Sequence, residues 1–137
     1  MMSALFKKLF TGLHAKIYQL TGGKAGGVDK MLVLHTTGAK SGKARESPLL
    51  YLIDNDRYVI VASNGGAANH PGWYHNLKAA PSAKVTIGRE VIDVTAEVLS
   101  TEEKDRIWPE LVSMYAAYDK YRDKTDRDIQ LVALTAN

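Results

Sequence analysis

VIVASNGGAANHPGWYHNL, residues 59–77, carries the change of backbone habit around which the rest of the chain is arranged. Val59, Ile60 and Val61 form a β-branched run that predicts a strand. Ala62, Ser63 and Asn64 lead into Gly65-Gly66, where conformations closed to other residues become available. Pro71 suits the first turn of a helix, which would carry Trp73, Tyr74, Asn76, Leu77 and Lys78 and end by Pro81. A strand that runs through small residues into a glycine turn lets a flat ligand lie close to the main chain, with Trp73 as its cover or wall. The same residues suit a tight strand-to-helix connection with Trp73 and Tyr74 in the core, and the local pattern does not separate the two.

Working upstream, Met31 to Thr37 predicts a strand that runs into Gly38-Ala39-Lys40-Ser41-Gly42-Lys43-Ala44-Arg45, a loop with three cations and two glycines. Backbone N–H groups and Lys or Arg side chains in such a loop suit phosphate or carboxylate. The loop is not a nucleotide-binding P-loop: only three residues separate Gly38 from Gly42, and Ala44 replaces the hydroxyl residue after the lysine. Charges facing water at a hairpin tip are the plainer alternative. Ser47 to Ile53 is apolar enough for a largely buried strand, and Pro48 near its start suits an edge or bulge. Asp54-Asn55-Asp56 is turn chemistry, so Tyr58 to Ala62 returns as a hairpin partner.

Downstream, Ala83 to Ile87 and Val91 to Leu99 form a second hairpin around Gly88-Arg89. Alternation in its second arm leaves Val91, Asp93, Thr95 and Glu97 on a mostly wet face. Ser100 and Glu103 have the spacing of a capping box that opens a helix at Thr101. Pro109 predicts a break or kink near Trp108. Beyond it Tyr115, Tyr118 and Tyr121 fall at i, i+3 and i+6, an aromatic stripe on one helix face. Stripes of this kind usually belong to a core, but few aliphatics surround these three and buried phenols need partners. Ile129 to Leu134 predicts a closing strand. Strand-rich middle and few helices give the fold class α+β: a small antiparallel split β-barrel with flanking helices.

Residues 1–27 read as an amphipathic N-terminal helix and a glycine-rich connector, and residues 28–137 as the barrel domain. Leu5, Leu9, Leu13 and Ile17 repeat at i, i+4 with Phe6 and Phe10 beside them, while Lys7, Lys8 and Lys16 lie elsewhere. Such a helix can pack on the domain or lie in a membrane interface. The glycines between Gly22 and Gly27 favour the second, since ordering them costs entropy.

The 137 residues contain no cysteine, which excludes disulfides, thiolate nucleophiles and cysteine metal sites. A net charge of +3 permits an anionic ligand but does not argue for nucleic acid. No apolar run approaches the roughly 20 residues needed to span a bilayer, and no secretory signal is recognisable. A cytoplasmic location is expected, with the N-terminal helix giving peripheral contact at the inner face of the cell membrane. Ser63 lacks a nucleophile elbow, and His70 and His75 are spaced for different helix faces. No metal site is expected. An anion-binding loop, a glycine-lined flat site and aromatic cover describe a cofactor site better than hydrolytic chemistry.

Taken in order, several short motifs resemble one family. They are Thr36-Thr37-Gly38-Ala39-Lys40-Ser41-Gly42 with Arg45 and Pro48-Leu49, then Ala62-Ser63-Asn64-Gly65-Gly66 and His70-Pro71-Gly72-Trp73-Tyr74-His75-Asn76-Leu77. Trp108-Pro109, Met114-Tyr115, Tyr118-Asp119, Tyr121 and Thr125-Asp126-Arg127 complete the series. From about Leu32 to Leu134 the chain resembles the deazaflavin-dependent nitroreductase and quinone reductase family, whose members use coenzyme F420 on a flavin-type split barrel. The resemblance implies hydride transfer from the reduced deazaflavin to a quinone or nitroaromatic acceptor. It implies that Lys40, Ser41 and Arg45 hold the coenzyme's phosphate and acidic tail. Ala62, Ser63, Asn64, Gly65 and Gly66 would lie against the deazaflavin, with Pro71 and Trp73 on its other side. Tyr115, Tyr118 and Tyr121 would border the acceptor, with Ser63 as hydrogen-bond donor near the reacting ring and Tyr118 positioning the acceptor. Two departures bear on this. Asn64 stands where relatives often have lysine, which lowers the charge expected near the coenzyme, and Ala116 stands where they often have proline. The rival class is a non-catalytic flavin- or lipid-binding split-barrel protein.

Overall fold

A computed structural model describes residues 30–137. The N-terminal helix expected from residues 1–27 lies outside the described residues. Seven strands and three helices make up the rest: β1 (Met31–Thr37), β2 (Ala44–Leu50), β3 (Leu52–Asp54), β4 (Arg57–Val61), α1 (Gly72–Ala79), β5 (Ser82–Ile87), β6 (Glu90–Val98), α2 (Thr101–Met114), α3 (Ala117–Lys124) and β7 (Leu131–Ala136). A single 3-10 turn, Asn64–Gly66, separates β4 from α1.

All the strand pairs are antiparallel, in the order β2-β1-β5-β6-β7-β4-β3. The two outermost strands of that order, β2 and β3, are separated in the chain by Tyr51 alone. Ends one residue apart cannot sit at opposite sides of a flat sheet of this width, because consecutive Cα atoms are only about 3.8 Å apart. The sheet therefore curls round until its edges approach at Tyr51, and the expected split barrel is the result. Pro48 lies in β2 opposite Val33, on the outer strand of the order, where a missing N–H breaks no ladder.

Alternation along β4 and β7 explains where the core sits. Ile60, Val132 and Leu134 point to one side with Leu32, Leu34, Val85 and Val94, under Trp73, Tyr74 and Leu77 of α1. Val59, Val61, Leu131 and Ala133 point to the other, under Ile107, Trp108 and Leu111 of α2 and Tyr118 of α3. Strands buried on both faces read as continuous apolar runs, which is the composition of VIV and LVAL. The helices thus cover opposite faces and leave the strand-to-helix connections at the surface.

Four expectations need correction. The strand expected over Ser47 to Ile53 is two strands interrupted at Tyr51, one at each end of the sheet order. Arg45 belongs to β2 and not to a loop, pairing opposite Thr36. Pro109 does not break its helix, which runs unbroken from Thr101 to Met114. Pro109 is on the exposed side, and Asp105, whose carbonyl loses its N–H partner, is itself exposed and open to water. The chain instead leaves the helix at Tyr115, whose backbone is extended, so Tyr115 precedes the helix that carries Tyr118 and Tyr121. The N-cap of α2 is as expected on one side only: Ser100 Oγ accepts from the Glu103 N–H, but the Glu103 carboxylate binds Arg57.

Candidate functional site

Two clefts flank the residue 62–72 connection. The first has a volume of about 470 Å³ and is lined on one wall by Lys40, Ser41 and Arg45, and on the other by Trp73, His75 and Asn76 of α1. The basic loop is short because Gly38 and Lys43 close it: the Gly38 N–H donates to the Lys43 carbonyl and the Gly42 N–H to the Gly38 carbonyl. Gly42 supplies the left-handed turn, with φ 68°. Asn76 fastens this loop to α1. Its Oδ1 accepts from the Ala39 N–H at 2.9 Å and its Nδ2 donates to Thr36 Oγ1 at 3.1 Å. Lys40 and Arg45 are exposed and have no carboxylate partner among the described residues. Trp73 packs in the core and also walls the cleft.

The second cleft, about 490 Å³, is lined by Gly66, Ala68, Lys124, Thr125, Asp126 and Arg127. Ser63 to Gly66 therefore faces the α3 side. A Cβ built on Gly66 would lie 2.9 Å from the Tyr121 carbonyl oxygen, so only glycine allows this strap to touch α3 so closely. Asn64, Gly65 and Gly66 all have positive φ, at 47°, 63° and 79°. Arg127 holds the strap from outside, donating to the carbonyls of Ala62, Ser63 and Ala67 at 3.0, 2.9 and 3.1 Å. His70 Nδ1 accepts from the same guanidinium at 3.1 Å.

Tyr115, Tyr118 and Tyr121 do converge, with ring centroids 5.0 to 6.4 Å apart. Tyr118 is only 5% exposed and packs on Trp108, which places it behind the other two. Trp108 in turn donates its indole N–H to Asp119 at 2.8 Å, tying α2 to α3. Tyr115 and Tyr121 are half-buried, with their hydroxyls 3.3 Å apart. That hydrogen bond, then burial, pushes the Tyr115 phenol up to about 12, and burial pushes Tyr118 up as well. Both hydroxyls stay protonated at neutral pH and can donate.

The structure thus brings Lys40, Ser41, Arg45 and Trp73 together at one cleft and puts Gly66 at the other, against the Tyr121 backbone. The histidines join the two. His70 precedes α1, so the expectation that His70 and His75 lie on different helix faces does not hold. Their rings are 5.8 Å apart, with His75 at the first cleft and His70 on Arg127 at the second. Pro71 supplies the N-cap of α1 between them. Sequence reasoning gave no role to Arg127, Asn76 or the histidines. Arg127 mostly meets backbone carbonyls, which leave no side-chain pattern to read, and the others meet groups far away in sequence or across a helix start.

Residues 11–136 match the profile of a protein family described as F420H(2)-dependent quinone reductase. An F420H(2)-dependent quinone reductase of Mycobacterium tuberculosis is 42% identical over 131 residues, which cover 90% of this chain and 87% of that protein. A solved structure of an F420-H2 dependent reductase, FDR-A, is 43% identical with a TM-score of 0.68, over 76% of this chain and 92% of the other. HutZ, a heme storage protein of Vibrio cholerae, shares the fold at 15% identity, with a TM-score of 0.63 over 91% and 90% of the two chains.

Proposed function

This chain belongs to the F420H(2)-dependent quinone reductase family, and from that premise we propose how its two clefts divide the work of an F420-dependent oxidoreductase. The observation that carries the proposal is the pair of unpartnered cations, Lys40 and Arg45, on the wall opposite Trp73 in a 470 Å³ cleft. Exposed Lys and Arg that form no ion pair among the described residues, beside a hydroxyl and turn N–H groups, fit a long polyanionic cofactor; Glu46 is the one carboxylate in the cleft lining. Lys40, Ser41 and Arg45 hold its phosphate and acidic tail. The backbone of Ala62, Ser63, Asn64, Gly65 and Gly66 receives the deazaflavin, with Pro71 and Trp73 on its other side.

When bound, reduced F420 supplies the hydride. The chain's own residues bind, orient and exclude water. Ser63, 8% exposed at the end of β4, donates a hydrogen bond near the reacting ring. Tyr115 and Tyr121 border the acceptor, and the protonated Tyr115 hydroxyl stabilises charge developing on its oxygen. Tyr118 positions the acceptor as the buried ring behind them. The acceptors are quinones, and nitroaromatics of similar shape.

Among the described residues no helix is long and apolar enough to cross a membrane. The apolar row Leu5, Leu9, Leu13 and Ile17, with its off-row lysines, supports peripheral contact at the inner face of the membrane, where lipid-soluble quinones are collected. Mixing the protein with reduced F420 and menadione and following cofactor oxidation tests the activity. Oxidation no faster than in buffer would leave a non-catalytic binding barrel as the reading.

A further inference from the structure

The strap from Ser63 to Ala67 takes a left-handed shape that Asn64-Gly65-Gly66 can adopt but, being among the freest residues of the backbone, do not fix by themselves. Three consecutive residues have positive φ, and the first of them, Asn64, is not glycine. Such conformations persist where surrounding contacts over-determine them. Internal bonds are few: the Gly66 N–H donates to Ser63 O, the Ala67 N–H to Asn64 O, and Asn64 Nδ2 to Asn69 O. Besides the packing of Gly66 on the Tyr121 backbone, the polar constraint comes from one guanidinium 60 to 65 residues away in sequence. Arg127 reaches the carbonyl before the turn, the carbonyl opening it and the carbonyl closing it.

We propose that Arg127 is a positioning residue for hydride transfer, clamping the Ser63–Ala67 strap, together with His70, in the shape that receives the deazaflavin. This rests on the reading above that the strap lies against that ring. The clamp also fixes the strap relative to the acceptor side, because Gly66 abuts the Tyr121 backbone. Lysine cannot replace it, since a point-like ammonium lacks the planar fork that reaches carbonyls on both sides of a turn.

His70 gives the clamp a pH signature. An arginine only donates, so Nδ1 of His70 accepts and the ring proton sits on Nε2. The groups facing His70 are Arg127 from the β7 approach and Tyr74, His75 and Lys78 from α1. Burial, then Arg127, His75 and Lys78, hold His70 below its usual range. Once protonated, Nδ1 would turn a donor toward Arg127 and the clamp would lose a contact.

The test uses full-length protein with Arg127→Lys, Arg127→Met and His70→Asn. Three readouts are protection of the Gly66 and Ala67 amides in hydrogen exchange, F420 affinity by fluorescence, and the pH profile of kcat with menadione. Arg127→Lys should lower amide protection about tenfold and kcat about 10- to 100-fold, as small misplacements of reacting groups do. F420 affinity should fall less than about fivefold, because the basic loop is untouched. Wild-type protein should lose strap protection and kcat as pH falls through the lowered titration range of His70. His70→Asn, which keeps an acceptor that does not titrate, should flatten that limb. If Arg127→Met fails to fold, Arg127→Lys and His70→Asn carry the result. Wild-type protection and kcat in Arg127→Lys, or an acid limb that survives in His70→Asn, would overturn the clamp. Failure of the wild type to bind F420 would instead remove the reading beneath it.

Discussion

Replacing Gly66 by alanine asks whether the strap and the tyrosine helix are in hard contact, and Gly65→Ala supplies the matched control. At Gly66 the added methyl meets the Tyr121 carbonyl oxygen at 2.9 Å, Tyr121 Cα at 3.1 Å and Lys124 Cδ at 3.1 Å. Lys124 can swing aside, but the Tyr121 backbone moves only if α3 moves. A left-handed φ costs an L-residue about 1–2 kcal/mol, and overpacking of this kind adds about 1–3 kcal/mol. Gly66→Ala should therefore destabilise by about 2–5 kcal/mol. At Gly65 φ is equally positive but nothing lies within 4 Å, so only the conformational cost of about 1–2 kcal/mol applies. Urea denaturation at constant m measures both, and a thermal scan should separate them by roughly 4 °C per kcal/mol. Cofactor binding should rank the other way among folded molecules. The Gly65 methyl enters the open side where the ring is placed, and F420 affinity should fall more than about tenfold, or about 1.4 kcal/mol. Stability losses agreeing within about 0.5 kcal/mol would refute the hard contact.

The same geometry makes further predictions. Lys40→Ala with Arg45→Ala should weaken F420 binding, and binding by the parent protein should fall steeply with added salt, as fluorescence titration would show; an affinity that does not change returns the loop to a solvated tip. F420 should bind more tightly than FMN, since several cations face its long anionic tail, and parallel titrations decide it. Asp54 accepts from Arg106 at 2.9 and 3.0 Å and from Arg57 at 3.1 Å; Arg106 first, then Arg57, hold its carboxyl below the usual range. Its stabilisation is present above about pH 4 and lost as pH falls through the lowered folded value. Asp54→Asn should thus cost about 1–2 kcal/mol at pH 7, with the difference from wild type shrinking in acid denaturation curves. Deleting residues 1 to 21 should leave a folded, cofactor-binding barrel that binds liposomes less and turns over long-tailed quinones more slowly; an unfolded product would make that segment part of the core.

Strand content was legible because its physics is local. Met31–Thr37 and the hairpin around Gly88-Arg89 follow from β-branched runs, alternation and turn residues, and Pro48 marked the outer strand by itself. What escaped were features that depend on which side of an element faces water or main chain. Pro109 looks like a breaker until Asp105 is seen to be exposed. Tyr115 looks like the start of a helical stripe until the chain is found extended there, and burial of Tyr118 depends on where Trp108 lies. The basic loop and the glycine strap stood out in the sequence, because cations and glycines carry chemistry in their identity. Arg127 was not readable in its role. Three of its four acceptors are carbonyls, and every residue has one.

β7, the last of the described strands in chain order, is seated between β6 and β4. A ribosome-bound chain that has not yet released residues 131–136 can form β1 with β2, β5 with β6, and the β3–β4 hairpin. It cannot join the hairpin to the rest, because β4 pairs only with β3 and β7. Two sheet fragments, each with an unpaired edge carrying Val and Ile, wait for one six-residue segment. Pairings of such long sequence separation fold on the slower, millisecond-to-second scale. During that interval the exposed edges are open to a second nascent chain. Synthesis at high density should favour strand exchange between copies, with β7 of one chain completing the sheet of another.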